Sequence, residues 1–426
     1  MIGTHVVTLT PAAGGADVDV SCLVDRVSIR HGRDDTDTQP EPNTATFDLS
    51  LDTDEDVYPD GLDVAGVLTV TTTVPGHPAS VRFSGKITDV DQTWEAAGDD
   101  TPNRQVLQII AAGPLADMGR RVVGDTPWPQ QLDGARVSAI MAAAGVTLDP
   151  LYSDPGTVQI IARDIDAQPA LDVAQATAGD AGGIVWTTRA GEIRYADSDH
   201  RRGTVPALSL DACDVLVTPK WSRTTAGLIN KISIGYGVAG GGDQPRYVAQ
   251  RDDSIEEFGR YELEASTQLA ALADAAAMGD LLLTTNHAPV WIMSSLPVDV
   301  GGLDEARYLA LLDLEMNSLI GLTGLPAANG APTSAYLWVE GYTENLESGV
   351  HEMEFAVSGY CRTVPPPRWN DVDPATTWDT VGAITWDDAA CFGPTPDRGR
   401  WDDVPASQRW DQIAPAVTWD TYRTGG

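Results

Sequence analysis

Lysine is nearly missing from this chain: only Lys86, Lys220 and Lys231 stand among 27 basic residues, and those face 62 acidic ones, a formal net charge of −35. A surface of that sign repels polyanions, and no basic cluster exceeds the pairs Arg120-Arg121 and Arg201-Arg202, so sequence-specific nucleic-acid binding is not expected. Carboxylates lining a channel would let a polyanion slide past without sticking, and the same acidity also keeps a large assembly soluble. Cysteine is scarce too. Cys22, Cys213, Cys361 and Cys391 lie far apart with no Cys-x-x-Cys pair, which argues against a structural zinc site or a disulfide scaffold and for reduced thiols made in a cytoplasm. No apolar run reaches the roughly eighteen residues that a membrane helix needs. The first ten residues carry no basic-then-apolar pattern, so neither a membrane anchor nor a secretory signal is expected.

Catalytic signatures are equally sparse. His5, His31, His77, His200, His287 and His351 are scattered without an i,i+4 pair, and no G-x-S-x-G, H-E-x-x-H or phosphate-loop motif occurs. Gly240, Gly241 and Gly242 lack a following Lys-Ser/Thr and read as a hairpin tip. The spacing Asp52-x-Asp54-x-Asp56, with Glu55 and Asp60 nearby, imitates a calcium loop, but Val57 stands where a sharp turn needs glycine and Asp63 where glutamate is needed. A solvated loop fits better. Paired carboxylates of a glycosidase type would arise by coincidence among so many acids. The expectation is therefore a non-enzymatic protein with no cofactor and no metal.

What is present is β-structure. In 426 residues with 41 glycines there is room for several domains with ordinary cores. Residues 1–113 show short apolar stretches, Val6 to Leu9, Val18 to Val24, Val27 to Ile29, Ala45 to Leu51, Val67 to Val74, Val81 to Val90 and Val106 to Ala111, parted by Gly, Pro and Asp turns. Such spacing predicts a first barrel-like β domain. Residues 114–205 change character. Asp133 is placed to cap a helix with Val137, Ile140, Met141 and Ala144 on one face, closed by Gly145. Asp166 and Pro169 then start a second helix with Leu171, Ala174, Gln175 and Ala178 on a face, stopped by the Gly179 to Gly183 stretch. A hairpin follows in which Ile184, Trp186 and Thr188 alternate, Gly191 turns, and Ile193 and Tyr195 return. This is a helical connector followed by a small αββ unit. From 206 to 364 a second barrel-like β domain is predicted, with strands at Val215 to Val217, Ile229 to Tyr236, Tyr247 to Gln250, Val290 to Met293, Ala335 to Thr343 and His351 to Ser358. One long helix interrupts it, with Leu269, Leu272, Ala276, Gly279 and Leu283 sharing a face.

Residues 365–426 form a separate object. After the stiff linker Pro365-Pro366-Pro367 come Trp369, Trp378, Trp386, Trp401, Trp410 and Trp419, half of the 12 tryptophans, and all but Trp369 are followed by Asp. Units such as WDDVPASQRW and WDQIAPAVTW are too short to fold alone. They read as a docking arm whose tryptophans enter a neighbour's grooves, as a platform for cell-wall sugars, or as the core of a compact cap.

Several of these stretches resemble the hub proteins at the tip of long-tailed bacteriophages. ALDVAQATA with GGIVWTTRAGEIRYAD resembles the small domain that the family inserts between two β-barrels, and VSAIMAAAGV resembles the helix ahead of it. An early strand ending in Gly32-Arg33, the strand pair FSGKITDVDQTW, and Asp253-Ser254-Ile255-Glu256-Glu257-Phe258-Gly259 ahead of the long helix fit the same pattern. Terminal Trp-Asp repeats resemble those of actinobacterial phage minor tail proteins, and the arginine bias with much Ala and Gly suggests a high-GC genome. The resemblance implies an α+β, mainly β chain of two barrel-like domains with an inserted αββ domain and a Trp-repeat C-terminal arm. It further implies a homotrimer at the virion's tail tip, contacting distal tail and tail tube proteins, the tape-measure protein and other minor tail proteins. Two similar barrels per chain would let a threefold ring adapt to a sixfold tube and gate the DNA channel. The alternatives are a sugar-binding tail adhesin acting through the Trp repeats and a tail-associated hydrolase.

Overall fold

The computed structural model describes residues 3–52, 58–59, 61–95, 104–201, 205–215, 220–238, 244–326 and 331–359. The Trp repeat with its Pro linker, Asp54 to Asp56 with Asp60, Gly240 to Gly242, and Cys361 and Cys391 lie outside these residues. The chain is mainly β.

In the first region, strands Val24–Gly32, Glu41–Asp52, Arg104–Ala112, Ser80–Glu95, Val67–Thr73, Thr4–Thr10 and Val18–Asp19 lie side by side in that order, each antiparallel to the next. Alternation decides which face is dry. Along Glu41–Asp52, Ala45, Phe47, Leu49 and Leu51 all turn inward. They meet Val7, Leu9, Ile29, Leu68, Val70, Phe83 and Ile109 in one core, where each large side chain contributes about 1.5–3 kcal/mol. Of the stretch Val18 to Val24, only Val18–Asp19 and Val24 itself are strand. Asp19 Oδ1 accepts from both the backbone N–H and the hydroxyl of Ser21, which bends Ser21–Leu23 into a 3-10 turn.

The second region is centred on Ala335–Glu347. One edge of this strand pairs along its length with Val350–Gly359. Its other edge is divided, with Leu337 and Trp338 on Leu319–Thr323 and Gly341 to Glu347 on Val24–Gly32 of the first region. A register shift between Val339 and Gly341 marks the hand-over. Leu208–Asp211 runs parallel to Leu319–Thr323, and Ser295–Val298 lies against Val350–Gly359, so both regions belong to one twelve-stranded sheet.

No closed barrel is found among the described residues, a correction to the barrel-like expectation. Val24–Gly32, which would have to seal the first barrel, gives its free edge to Ala335–Glu347. The second region returns on itself through the single bridge Val215↔Val298 rather than a ladder. Its core gathers Leu296, Val298, Tyr308, Leu311, Ile320, Leu322, Val339 and Phe355.

Between the two regions, helices Pro114–Met118, Asp133–Ala143 and Ala170–Asp180 pack with the hairpin Ile184–Thr187 and Ile193–Ala196 around Val137, Ile140, Val173 and Tyr195. Neither expected aspartate caps its helix. Asp133 is wholly buried in the first turn, accepting from the Val158 N–H and the Tyr195 hydroxyl. Asp166 instead takes Arg163 and Gln168, and Pro169 is itself the cap position. The hairpin is buried on both faces, since all four residues of Ile184–Thr187 are inside.

A detour leaves and returns on an antiparallel stem, Ser222–Arg223 against Trp291–Ile292. It carries a three-stranded sheet of Arg246–Gln250, Lys231–Gly235 and Glu262–Ser266, covered by helix Leu272–Asn286. The helix starts later than its periodicity suggests, because Leu269 is held ahead of it in an isolated bridge with Ile160 and Leu272 is exposed. Gly279 faces the sheet so closely that a Cβ would stand 2.2 Å from Ile232 Cδ1.

Candidate functional site

Two arrangements concentrate chemistry, and both depend on Ala335–Glu347. Along that strand Glu340 and Glu344 are wholly buried. Buried carboxylates persist only when paired and hydrogen-bonded. Gly32, at φ +80 and with its Cβ direction only 2.4 Å from the Glu340 carbonyl, lets the chain turn tightly enough to bring Arg33 inward. Arg33 Nε then donates to Glu340 Oε2 at 2.8 Å, and Arg201 Nη2 donates to the same oxygen at 2.8 Å. The Ser358 hydroxyl bonds Glu340 Oε1, while Arg201 Nε reaches Asn317 Oδ1 at 2.8 Å. Burial alone would raise the Glu340 carboxyl; Arg201 and Arg33 outweigh it and hold the group at about 2.

Glu344 has its own set. Arg82, also wholly buried, forks onto it with Nε–Oε1 at 2.8 Å and Nη2–Oε2 at 2.9 Å. His351 Nε2 approaches Glu344 Oε1 at 2.8 Å, and its Nδ1 lies 3.0 Å from the Tyr308 hydroxyl, which accepts from the Gly3 N–H. Against the burial penalty, Arg82 and His351 depress the Glu344 carboxyl. His5 stacks edge-on to His351 at 5.3 Å, and burial first, then the neighbouring His351, lowers it to about 4. Burial likewise brings His31 to about 4, so it sits neutral with Nε2 3.0 Å from the Arg82 carbonyl. The helix Glu305–Asp313 ends at the same place. Its Leu312 carbonyl accepts from Arg82 Nη1 at 2.7 Å and from Arg189, where a helix C-terminus favours cations.

Segments far apart in sequence therefore meet in one dry polar seam. Every carboxylate in it is saturated by cations and shut from solvent, so it positions the two β regions and is unsuited to proton transfer. Among the described residues no group of three metal-ligating side chains is present.

The second arrangement is a cleft of about 390 Å³ lined by Leu151, Tyr152, Ser153 and Asp154 ahead of the αββ unit, Trp186, Arg194 and His200 within and just after it, and Glu315, Met316, Asn317 and Ser318 from the second β region. Arg194 lies 4.4 Å over the Tyr152 ring and bonds Asp149 at 2.9 Å. His200 Nδ1 is 2.7 Å from Asp154 Oδ2, and its ring edges Trp186.

Trp369, Trp378, Trp386, Trp401, Trp410 and Trp419, the residues singled out for docking, lie outside the described residues. Of the six histidines, His5 and His351 are brought together although 346 positions part them. Sequence reasoning flagged Gly32-Arg33 as a pattern but gave no role to Glu340, Glu344, Arg82 or Arg201. A carboxylate at an inward position of an apolar strand was the available signal.

No protein-family profile matches the sequence, and no curated protein sequence does either. In fold the chain is similar to the 43 kDa tail protein of prophage MuSo2 from Shewanella oneidensis, with a TM-score of 0.56, 10% identity, and 84% of this chain covering 100% of that one. It is similar also to the tail protein from Neisseria meningitidis MC58, with a TM-score of 0.55, 10% identity, and 85% of this chain covering 99% of that one.

Proposed function

We propose that this chain is a structural component of a phage tail, the hub at the tail tip, where it closes the tail tube and gates the DNA channel. The observation that carries the reading is the fold likeness to two tail proteins over essentially their whole length. A structural role also fits a seam in which every carboxylate is locked by cations. Three copies would form the closed ring expected of such assemblies, with two β regions per chain presenting six surfaces to a sixfold tube. Distal tail and tail tube proteins, the tape-measure protein and other minor tail proteins are its partners. The formal charge of −35 suits a wall past which DNA slides. The host is a high-GC actinobacterium.

Immunogold electron microscopy of particles from the source lysate, with an antibody to residues 1–365, tests the assignment. Gold confined to the tail tip is the expected result. Gold on cell walls, or on no particle, overturns it.

A further inference from the structure

The cleft beside the αββ unit is open and partly aromatic, and its two carboxylates, Asp154 and Glu315, are taken by His200 and Arg189. Leu151 and Tyr152 stand exposed on its rim. Deeper in the lining, Trp186 and Asn317 are only 3% and 7% exposed, yet Trp186 Nε1 and Asn317 Nδ2 meet no acceptor among the described residues. Asn317 is also held at φ +65, a left-handed conformation that costs an ordinary residue something to keep. What would complete the lining is a flat apolar ring for Tyr152 and Arg194 to cover and an acceptor oxygen for the stranded N–H groups, which neither Asp154 nor Glu315 reaches.

The chain itself carries that chemistry, five times over, just beyond the described residues. Trp378, Trp386, Trp401, Trp410 and Trp419 are each followed by Asp. The place where the chain departs is also close to the cleft. Val357 pairs with Val339, whose backbone bonds Asn317 and Ser318 of the cleft wall at 2.9 and 3.0 Å. Val357 is thus about two strand spacings, ~10 Å, from the wall, and Gly359 lies two residues further along the same strand, opposite Leu337. Residues 360–426 follow, and Trp378 comes nineteen positions after Gly359, within an extended reach of ~60 Å.

We infer that this cleft is the docking site of a Trp-Asp dipeptide from the same chain's C-terminal arm. The indole lies against Tyr152, Trp186 and the Arg194 guanidinium, and the aspartate accepts from Asn317 Nδ2. A cleft of about 390 Å³ suits one such dipeptide. Because several copies of the motif are tethered nearby, their effective concentration is high and one replaces another as it leaves. The inference holds whether or not the chain belongs to a tail.

The test uses the full chain with a photoreactive benzophenone amino acid replacing the exposed Leu151, irradiated, digested and read by mass spectrometry. Links to peptides from residues 369–426 are expected, falling at least tenfold when all six arm tryptophans become Ala and several-fold with Tyr152→Ala. Links confined to residues 1–359, or a yield unchanged in the arm variant, overturn the inference. Mixing isotopically heavy and light chains identifies the donor of the arm. Heavy-to-light links would place a second copy in the cleft and overturn the same-chain assignment.

Discussion

The two β regions share a sheet but are put together in different ways. In the first, a run of seven strands is completed within residues 4–112, and apart from the outer edge of Val24–Gly32 each neighbour lies within the same stretch of sequence. In the second, Leu208–Asp211 waits for Leu319–Thr323, and the central strand, Ala335–Glu347, binds a partner that begins at Val24. Local alternation suffices to build the first. Long-range chemistry has to specify the second, and the buried carboxylates of Glu340 and Glu344 supply it, since Arg33, Arg201 and Ser358 satisfy the first and Arg82 and His351 the second.

The sharpest way to break this contrast is Arg82→Leu. It strands Glu344 in a dry site, and losing one partner of a buried pair costs about 3–5 kcal/mol. Chemical denaturation should show both regions losing stability in a single transition. A first region that unfolds separately, at its old midpoint, would show the seam to be dispensable to it. A smaller effect comes from Gly279→Ala, whose new Cβ overlaps Ile232 and should cost about 1–3 kcal/mol. Hydrogen exchange should quicken in Lys231–Gly235 and helix Leu272–Asn286 while the strands of both main regions stay protected. The gentlest probe is acid. His5 titrates near 4 in the folded chain against an ordinary 6.5, so the unfolded chain binds the extra proton first as pH falls. Stability contributed by neutral His5 is complete above pH 6.5 and declines from there towards about 4. Thermal melts of His5→Asn should follow a flatter course than the parent over that window, and parallel curves would remove His5 from the account.

Legibility in the sequence follows the same contrast. The strands at Glu41–Asp52, Val67–Thr73 and Arg104–Ala112 announce themselves, because one wet and one dry face force alternation. Leu319–Thr323 and Ser295–Val298 were not read. The first has four successive buried residues and hence no alternation, and the second is only four residues long with Pro297 inside it. Helix Glu305–Asp313 escaped because its apolar Ala-Leu-Leu core is short, although Asp304 caps it by accepting from the Arg307 N–H. The hairpin of the αββ unit was legible as two strands, whereas its burial on both sides depends on elements brought from elsewhere. As for the seam, nothing in local sequence links Arg33 to Glu340 across 307 positions. The cleft was beyond sequence reading for the same reason, as its walls come from segments more than a hundred residues apart.

Pairing between Val24–Gly32 and Ala335–Glu347 also sets a timetable. During synthesis the outer edge of Val24–Gly32 stays bare until its partner, about 300 residues later, leaves the ribosome, a wait of roughly 15–60 s at ordinary elongation rates. A naked strand edge invites another nascent chain to pair with it. Arg26 is exposed on that strand and, until Glu347 engages it, gives the waiting edge a charge that works against pairing with a sister chain.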